Sequence, residues 1–378
     1  MKKTIHAFQR ILFLLALFPI VACVAEREQS NGEEEGSQPI YLSFATDSLF
    51  EEKVVRATIQ GTVLENQVQT LTLLFFDRTT GQRKTGFTNP LTLNVVSPTP
   101  SQWLNNDPAT HTVRLPFNAT QASNLAIYAF ANLPSTIAHL SSINTTADLN
   151  NVAIASTFES LNPNTTATGV VMNGSIVTTA DSVSDRIVYV RLKRAIAKVN
   201  IVLHFGYSEL VKNEPFNYQY KQFKEQLHIL PNTTIDNRID STLNGVLRTP
   251  TQFDRKQDTL TLGPFFINAY DISETPAVEA PYVAFDFKAR REVPNGATPP
   301  IGWLPPPAGG DYNSSGYVER RHYYRLVMPR TIQRNTHYII HAYFIAEGGY
   351  DPAGAQIVKI RTQVGDWHAG TVAPVVIY

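Results

Sequence analysis

Apolar residues alternating with period two, in short runs separated by turn residues, constrain this chain more than any other feature. In Ile40-Tyr41-Leu42-Ser43-Phe44-Ala45 the alternation puts Ile40, Leu42 and Phe44 on one face of a strand. Comparable runs occupy residues 70–76 (TLTLLFF), 91–96, 110–117, 125–133, 187–192, 197–204, 282–287, 322–328, 337–345 and 356–362. Turn signals lie between them: Thr80-Gly81-Gln82, Asn89-Pro90, Asn132-Leu133-Pro134, Asn173-Gly174, Asn244-Gly245 and Glu347-Gly348-Gly349. Many short strands punctuated in this way predict an all-β chain built of β-sandwiches. Helical pattern is confined to one short helix expected in residues 147–161 and a turn or two in residues 218–226.

Length and composition limit the alternatives. At roughly 100–200 residues per domain, 378 residues suggest two domains. A polar stretch, ADSVSDR at 180–186, precedes the basic and apolar RLKRAIAKVNIVL, which places the boundary near residue 190. Residues 294–317 are rich in Pro and Gly and read as a long surface loop, since Pro cannot supply ladder donors to a central strand. Lys+Arg and Asp+Glu are equal at 32 each, so the chain has no overall charge with which to attract nucleic acid.

The single cysteine excludes an internal disulfide, a CxxC site and a multi-thiolate zinc site. Its position is informative. Lys2, Lys3 and Arg10 form a positive region, and residues 11–22 (ILFLLALFPIVA) form a 12-residue apolar stretch ending at Ile20-Val21-Ala22-Cys23. That stretch is too short to span a bilayer, which takes about 20 residues, and fits a secretory signal. The run resembles a bacterial lipobox, which implies a signal peptide over residues 1–22, cleavage before Cys23 and acylation of Cys23. Residues 23–39 are polar and acidic and read as a flexible, lipidated tether. Without residues 1–22 the chain keeps 29 cations against 32 anions, a formal charge of −3.

No arrangement for catalysis stands out. The sequence has no GxSxG, HExxH, P-loop or GxGxxG motif. His337 and His341 would share a face on a helix. On the strand that their neighbours predict they lie about 13 Å apart, too far to share an ion. The expectation is no catalytic residue, no metal ligand and no cofactor. Trp303, with Tyr312 and Tyr317 around it, is the candidate binding surface for a glycan or a partner. The structural alternative is a tryptophan tucked beneath the proline-rich loop.

Several features coincide along the chain: the lipobox and tether, an early strand, and a strand ending LLFFD at 73–77. LAIYAFANLP at 125–134, VMNG at 171–174, RLKRAIAKVNIVL, QRNTHYII at 333–340 and a late Trp367 follow. This order resembles the Bacteroides-type fimbrillins, the lipoprotein-derived fimbrial subunits. The resemblance implies two transthyretin-like, Greek-key β-sandwich domains in tandem, over residues 40–190 and 191–378. It also implies proteolytic removal of the first strand after a basic residue. That residue matches Arg56, with Ala57 as the new N-terminus, and Lys53 and Arg27 are weaker matches. Its partners would then be other fimbrial subunits through strand donation, the outer membrane through the lipid anchor, and host or bacterial surface ligands. Residues 371–378 are a candidate donor strand or an ordinary last strand. The 294–317 loop leans toward a tip or accessory role, because a shaft copy must pack against two neighbours. The competing reading is a surface lipoprotein that binds glycan and never polymerises.

Overall fold

The computed structural model describes residues 39–46, 63–86, 88–107, 111–134, 138–156, 158–163, 169–180, 186–206, 209–210, 216–224, 226–231, 259–294, 297–304, 317–366 and 372–375. The signal segment, Cys23, Arg56, Ala57, Tyr312 and Trp367 lie outside the described residues.

Among the described residues eight strands precede residue 195: β1 (Pro39–Thr46), β2 (Thr70–Asp77), β3 (Leu91–Asn94), β4 (Thr112–Asn118), β5 (Leu125–Ala131), β6 (Ala153–Ala155), β7 (Met172–Val177) and β8 (Ile187–Arg194). Seven of them form one sheet in the order β3-β2-β5-β7-β8-β1-β4. Its two halves are joined at the short β7–β8 pairing, Met172↔Arg194 and Asn173↔Lys193. Both halves contribute to one core: Ile40, Leu42 and Phe44 of β1 share it with Leu71, Leu73 and Phe75 of β2 and with Val188, Val190 and Leu192 of β8. The run TLTLLFF is apolar throughout because β2 is buried on both faces. Leu74 and Phe76 face a second cluster formed with Phe130, Leu140, Leu149 and Ile229.

After Ala195 the chain continues as β9 (Ile196–Phe205), β10 (Glu209–Leu210), β11 (Phe216–Lys221), β12 (Gln226–His228), β13 (Thr259–Asn268), β14 (Tyr270–Asp271) and β15 (Tyr282–Glu292). The last strands are β16 (Tyr317–Val327), β17 (Thr331–Ile332), β18 (Thr336–Phe344), β19 (Gln356–Ile357), β20 (Lys359–Asp366) and β21 (Val372–Val375). One sheet runs β13-β9-β18-β20-β21. The other runs β10-β15-β16-β19, with β11 also paired to β15. Their inner faces share an aromatic-rich core that includes Phe216, Phe285, Phe287, Tyr324, Tyr338 and Phe344.

The expectation of an all-β chain holds, and each predicted run maps onto a strand. Three local expectations are corrected. Residues 218–226 are not helical: β11 runs through Lys221 and pairs with β15 from Phe216↔Phe287 to Lys221↔Tyr282. Lys221, its charged residue, takes the outward phase of a period-two pattern. Residues 147–161 hold two helical turns, Thr146–Asn150 and Phe158–Leu161, with β6 between them rather than one helix. Asn173-Gly174 is not a turn but part of β7. A Cβ on Gly174 would lie 2.3 Å from the Arg191 carbonyl oxygen, so glycine there permits the close approach of β8.

Candidate strand-exchange groove

β1 is the first strand of the described chain, yet it lies inside its sheet. It pairs in parallel with β8 from Tyr41↔Ile187 to Thr46↔Leu192, and antiparallel with β4, including Tyr41↔Arg114 and Ser43↔Thr112. Tyr41 N–H donates to Arg186 O at 2.8 Å, and Phe44 N–H donates to His111 O at 3.0 Å. The inward side chains follow the predicted alternation: Ile40 and Leu42 are 0% exposed and Phe44 is 2% exposed. Phe44 stacks on His111 at 5.6 Å and lies 6.2 Å from Trp103. Lifting β1 out would therefore expose two rows of backbone donors and acceptors, on β4 and on β8, beside pockets for three apolar side chains. This is the geometry that β-strand addition requires.

Residues 47–62 join β1 to a helical turn at Val63–Asn66, and a buried polar clasp holds that turn in place. The Lys198 ammonium of β9 meets the Glu65 carboxylate at 2.8 and 3.0 Å, with both groups buried. Arg194 Nε donates to Glu65 O at 3.2 Å, and its guanidinium also donates to Asn66 Oδ1 and to Asn335 Oδ1. Nearby, His337 Nε2 lies 2.7 Å from Asn200 Oδ1. Burial, reinforced by the Lys198 charge, pushes the His337 imidazole down to about 4. Sequence alone did not reveal this clasp. Its only sign was the unusual density of cations in RLKRAIAKVNI, where Arg194 and Lys198 fall at strand positions that are buried.

The described members of the candidate binding surface do not form one aromatic face. Trp303 is 3% exposed and its indole donates to Glu347 Oε1 at 3.1 Å. Arg291 covers its ring at 4.7 Å, while Arg320 Nη1 holds the other Glu347 oxygen at 2.9 Å. Tyr317 instead lies beneath Arg290, at 4.8 Å. Arg290 and Arg291 are consecutive strand residues whose side chains leave opposite faces, so the two rings are separated by the sheet. His322, beside Trp303 at 5.1 Å, is held down at about 4, mainly by burial and further by Arg320. His337 and His341 lie on β18, as expected, and contact different β9 residues: His337 meets Asn200, and His341 meets His204 at 2.9 Å. Among the described residues, no group of three or more His, Cys, Asp or Glu could hold a metal ion.

No protein-family model matches the chain, and no curated protein matches it. Solved structures do. A candidate cell adhesion protein from Parabacteroides distasonis aligns over 91% of this chain and 100% of its own, at 12% identity and a TM-score of 0.51. The chain has that adhesion protein's fold. A fimbrilin (FimA) from Porphyromonas gingivalis covers 89% of this chain and 98% of its own, at 12% identity and a TM-score of 0.47. The tip fimbrial protein Mfa3 of the same organism covers 87% and 100%, at 15% identity and a TM-score of 0.40.

Proposed function

We propose that this chain is a structural subunit of cell-surface fimbriae that supports adhesion. It is exported as a lipoprotein precursor anchored in the outer membrane through acylated Cys23. It polymerises by strand exchange after cleavage between Arg56 and Ala57 frees β1. Residues 40–190 and 191–378 act as its two tandem sandwiches. One observation carries the reading: a strand at the very start of the described chain fills the interior of a sheet. Its sole onward link, residues 47–62, contains Arg56. The fimbrial and adhesive roles of the structural neighbours support it, and so does the clasp at Glu65. A cut at Arg56 would separate β1 while Val63–Asn66 stayed fixed to β8 and β9.

The donor in this scheme is the C-terminal segment. Among the described residues β21 is the edge strand of its sheet, paired only with β20, from Thr362↔Val375 to Gly365↔Val372. An edge strand can leave without breaking another pairing. Subunits joined head to tail in this way make an open filament. The test is N-terminal sequencing of the protein in isolated fibres, together with a variant lacking residues 371–378. The expected results are a start at Ala57 and loss of polymer with the monomer still folded. Fibres whose subunits begin at Cys23, or fibres that form without residues 371–378, would overturn the scheme.

A further inference from the structure

A second feature lies on the outer face of the sheet formed by β11, β15 and β16. Strand register sets its outward residues in a grid. Asn217, Asp286 and Tyr323 form one row; Gln219, Ala284 and Arg325 form the next; Lys221 and Tyr282 begin the third. The smallest side chain, Ala284, is at the centre. It makes the floor of a cleft of about 790 Å³ that Pro352 and Ala355 help to wall. That volume lies within the roughly 300–1,000 Å³ of small-ligand sites.

The rim is polar and fixed in place. Arg321 Nη1 holds both Asp286 oxygens, at 2.6 and 2.7 Å, and Asn217 Nδ2 donates to Asp286 Oδ2 at 3.3 Å. A carboxylate has about four acceptor positions, so Asp286 retains capacity for a ligand hydroxyl. The Arg325 guanidinium carbon lies over the Tyr282 ring at 3.9 Å from its centroid, and the guanidinium pairs with Glu279. Two shielded polar atoms of this rim, Asn217 Oδ1 and Arg325 Nε, have no hydrogen-bond partner. The cations Arg321 and Arg325 are each neutralised by a carboxylate. Lys221 has no anionic partner among the described residues, which leaves the cleft with one uncompensated positive charge.

We infer that this cleft binds a pyranose ring carrying a carboxylate. The ring would lie over Ala284 with its apolar face against Tyr323 and the Arg325–Tyr282 stack. Its hydroxyls would meet Asp286 and Asn217, and its carboxylate would meet Lys221. A peptide fits less well, because β15 is already laddered on both sides and offers the cleft no free backbone edge. The inference does not depend on strand exchange, since the cleft lies in a single chain.

The test is calorimetric titration of the full, unpolymerised chain with three probes: a hyaluronan tetrasaccharide, sialyllactose and lactose. The first two separate a uronate source from a sialic acid source. At least one acidic probe is expected to bind at least tenfold more tightly than lactose. Lys221→Ala should weaken that binding by about tenfold or more, the loss of one charge-assisted contact. Ala284→Trp should abolish it by filling the floor. Its side chain points outward, so an unchanged circular dichroism spectrum verifies the fold. Absence of binding to both acidic probes, equal affinity for lactose, or undiminished binding by either variant would overturn the inference. None of these results would alter the sequencing of fibre subunits.

Discussion

Replacing Leu42 with Ala should weaken the precursor and leave the assembled fibre unchanged. Leu42 is 0% exposed and sits in the core shared by both halves of the first sheet. Truncation of a fully buried leucine costs about 2–5 kcal/mol, the lost transfer energy plus the cavity left behind. Ile40, Leu42 and Phe44 together contribute about 5–9 kcal/mol by burial, at roughly 1.5–3 kcal/mol each. A whole domain is stable by only about 5–15 kcal/mol, so the sandwich cannot lose β1 and stay folded unless another strand fills the space. The assay compares denaturant unfolding of wild-type precursor, Leu42→Ala and Ser43→Ala with the heat resistance of fibres grown from each. Ser43 faces outward, so its variant should stay within about 0.5 kcal/mol of wild type. A precursor unaffected by Leu42→Ala would refute the packing argument. Fibres weakened as much as the precursor would refute the removal of β1.

Further outcomes follow from the polar interior. Lys198→Met should cost about 3–5 kcal/mol by leaving the Glu65 carboxylate buried without its cation, and Glu65→Leu in the same chain should recover most of that; chemical denaturation of the single and double variants measures both. Stability should fall as pH drops from about 6.5 to about 4, because His322 and His337 stay neutral in the folded state while the unfolded chain takes up protons. Each contributes a slope of about 1.4 kcal/mol per pH unit, which levels off below about pH 4, and His337→Gln should flatten the profile measured by urea unfolding. Trp303→Ala should lower stability by about 3–5 kcal/mol, as loss of a buried indole does, read from denaturant unfolding of the whole chain.

How far the sequence reveals the structure depends on how local the controlling physics is. Alternation in residues 40–45 identified the buried face of β1 because one side of a sheet meets core and the other meets water or polar surface. It could not show that β1 lies between β4 and β8, since its partners are about 70 and 145 residues away in the chain. Residues 218–226 (YQYKQFKEQ) read as a turn or two of helix, although Tyr218 and Tyr220 keep the inward phase of a strand that begins at Phe216. That misreading concealed the cleft, because Asn217, Gln219 and Lys221 meet Asp286, Ala284 and Tyr282 only once β11 is paired to β15. Asn173-Gly174 carries turn chemistry, but tertiary demand for a close β8 approach outweighs it. Trp303 could be read either as contact or as support, and the carboxylate of Glu347, 44 residues further along, decides that its indole is held in place.

The passage between the two sheets at Ala195 also has a mechanical meaning. β8 lies alongside β1 in parallel, and one residue later the chain becomes β9, between β13 and β18. If a neighbouring subunit's strand occupies the place of β1, a pull along the fibre enters through its ladder to β8. The pull then crosses Ala195 covalently and spreads into the long ladders of β9. Each of these ladders would be loaded along its length, so its hydrogen bonds resist together rather than parting one at a time. The single-residue crossing adds no slack, and the subunit would transmit tension as a stiff link.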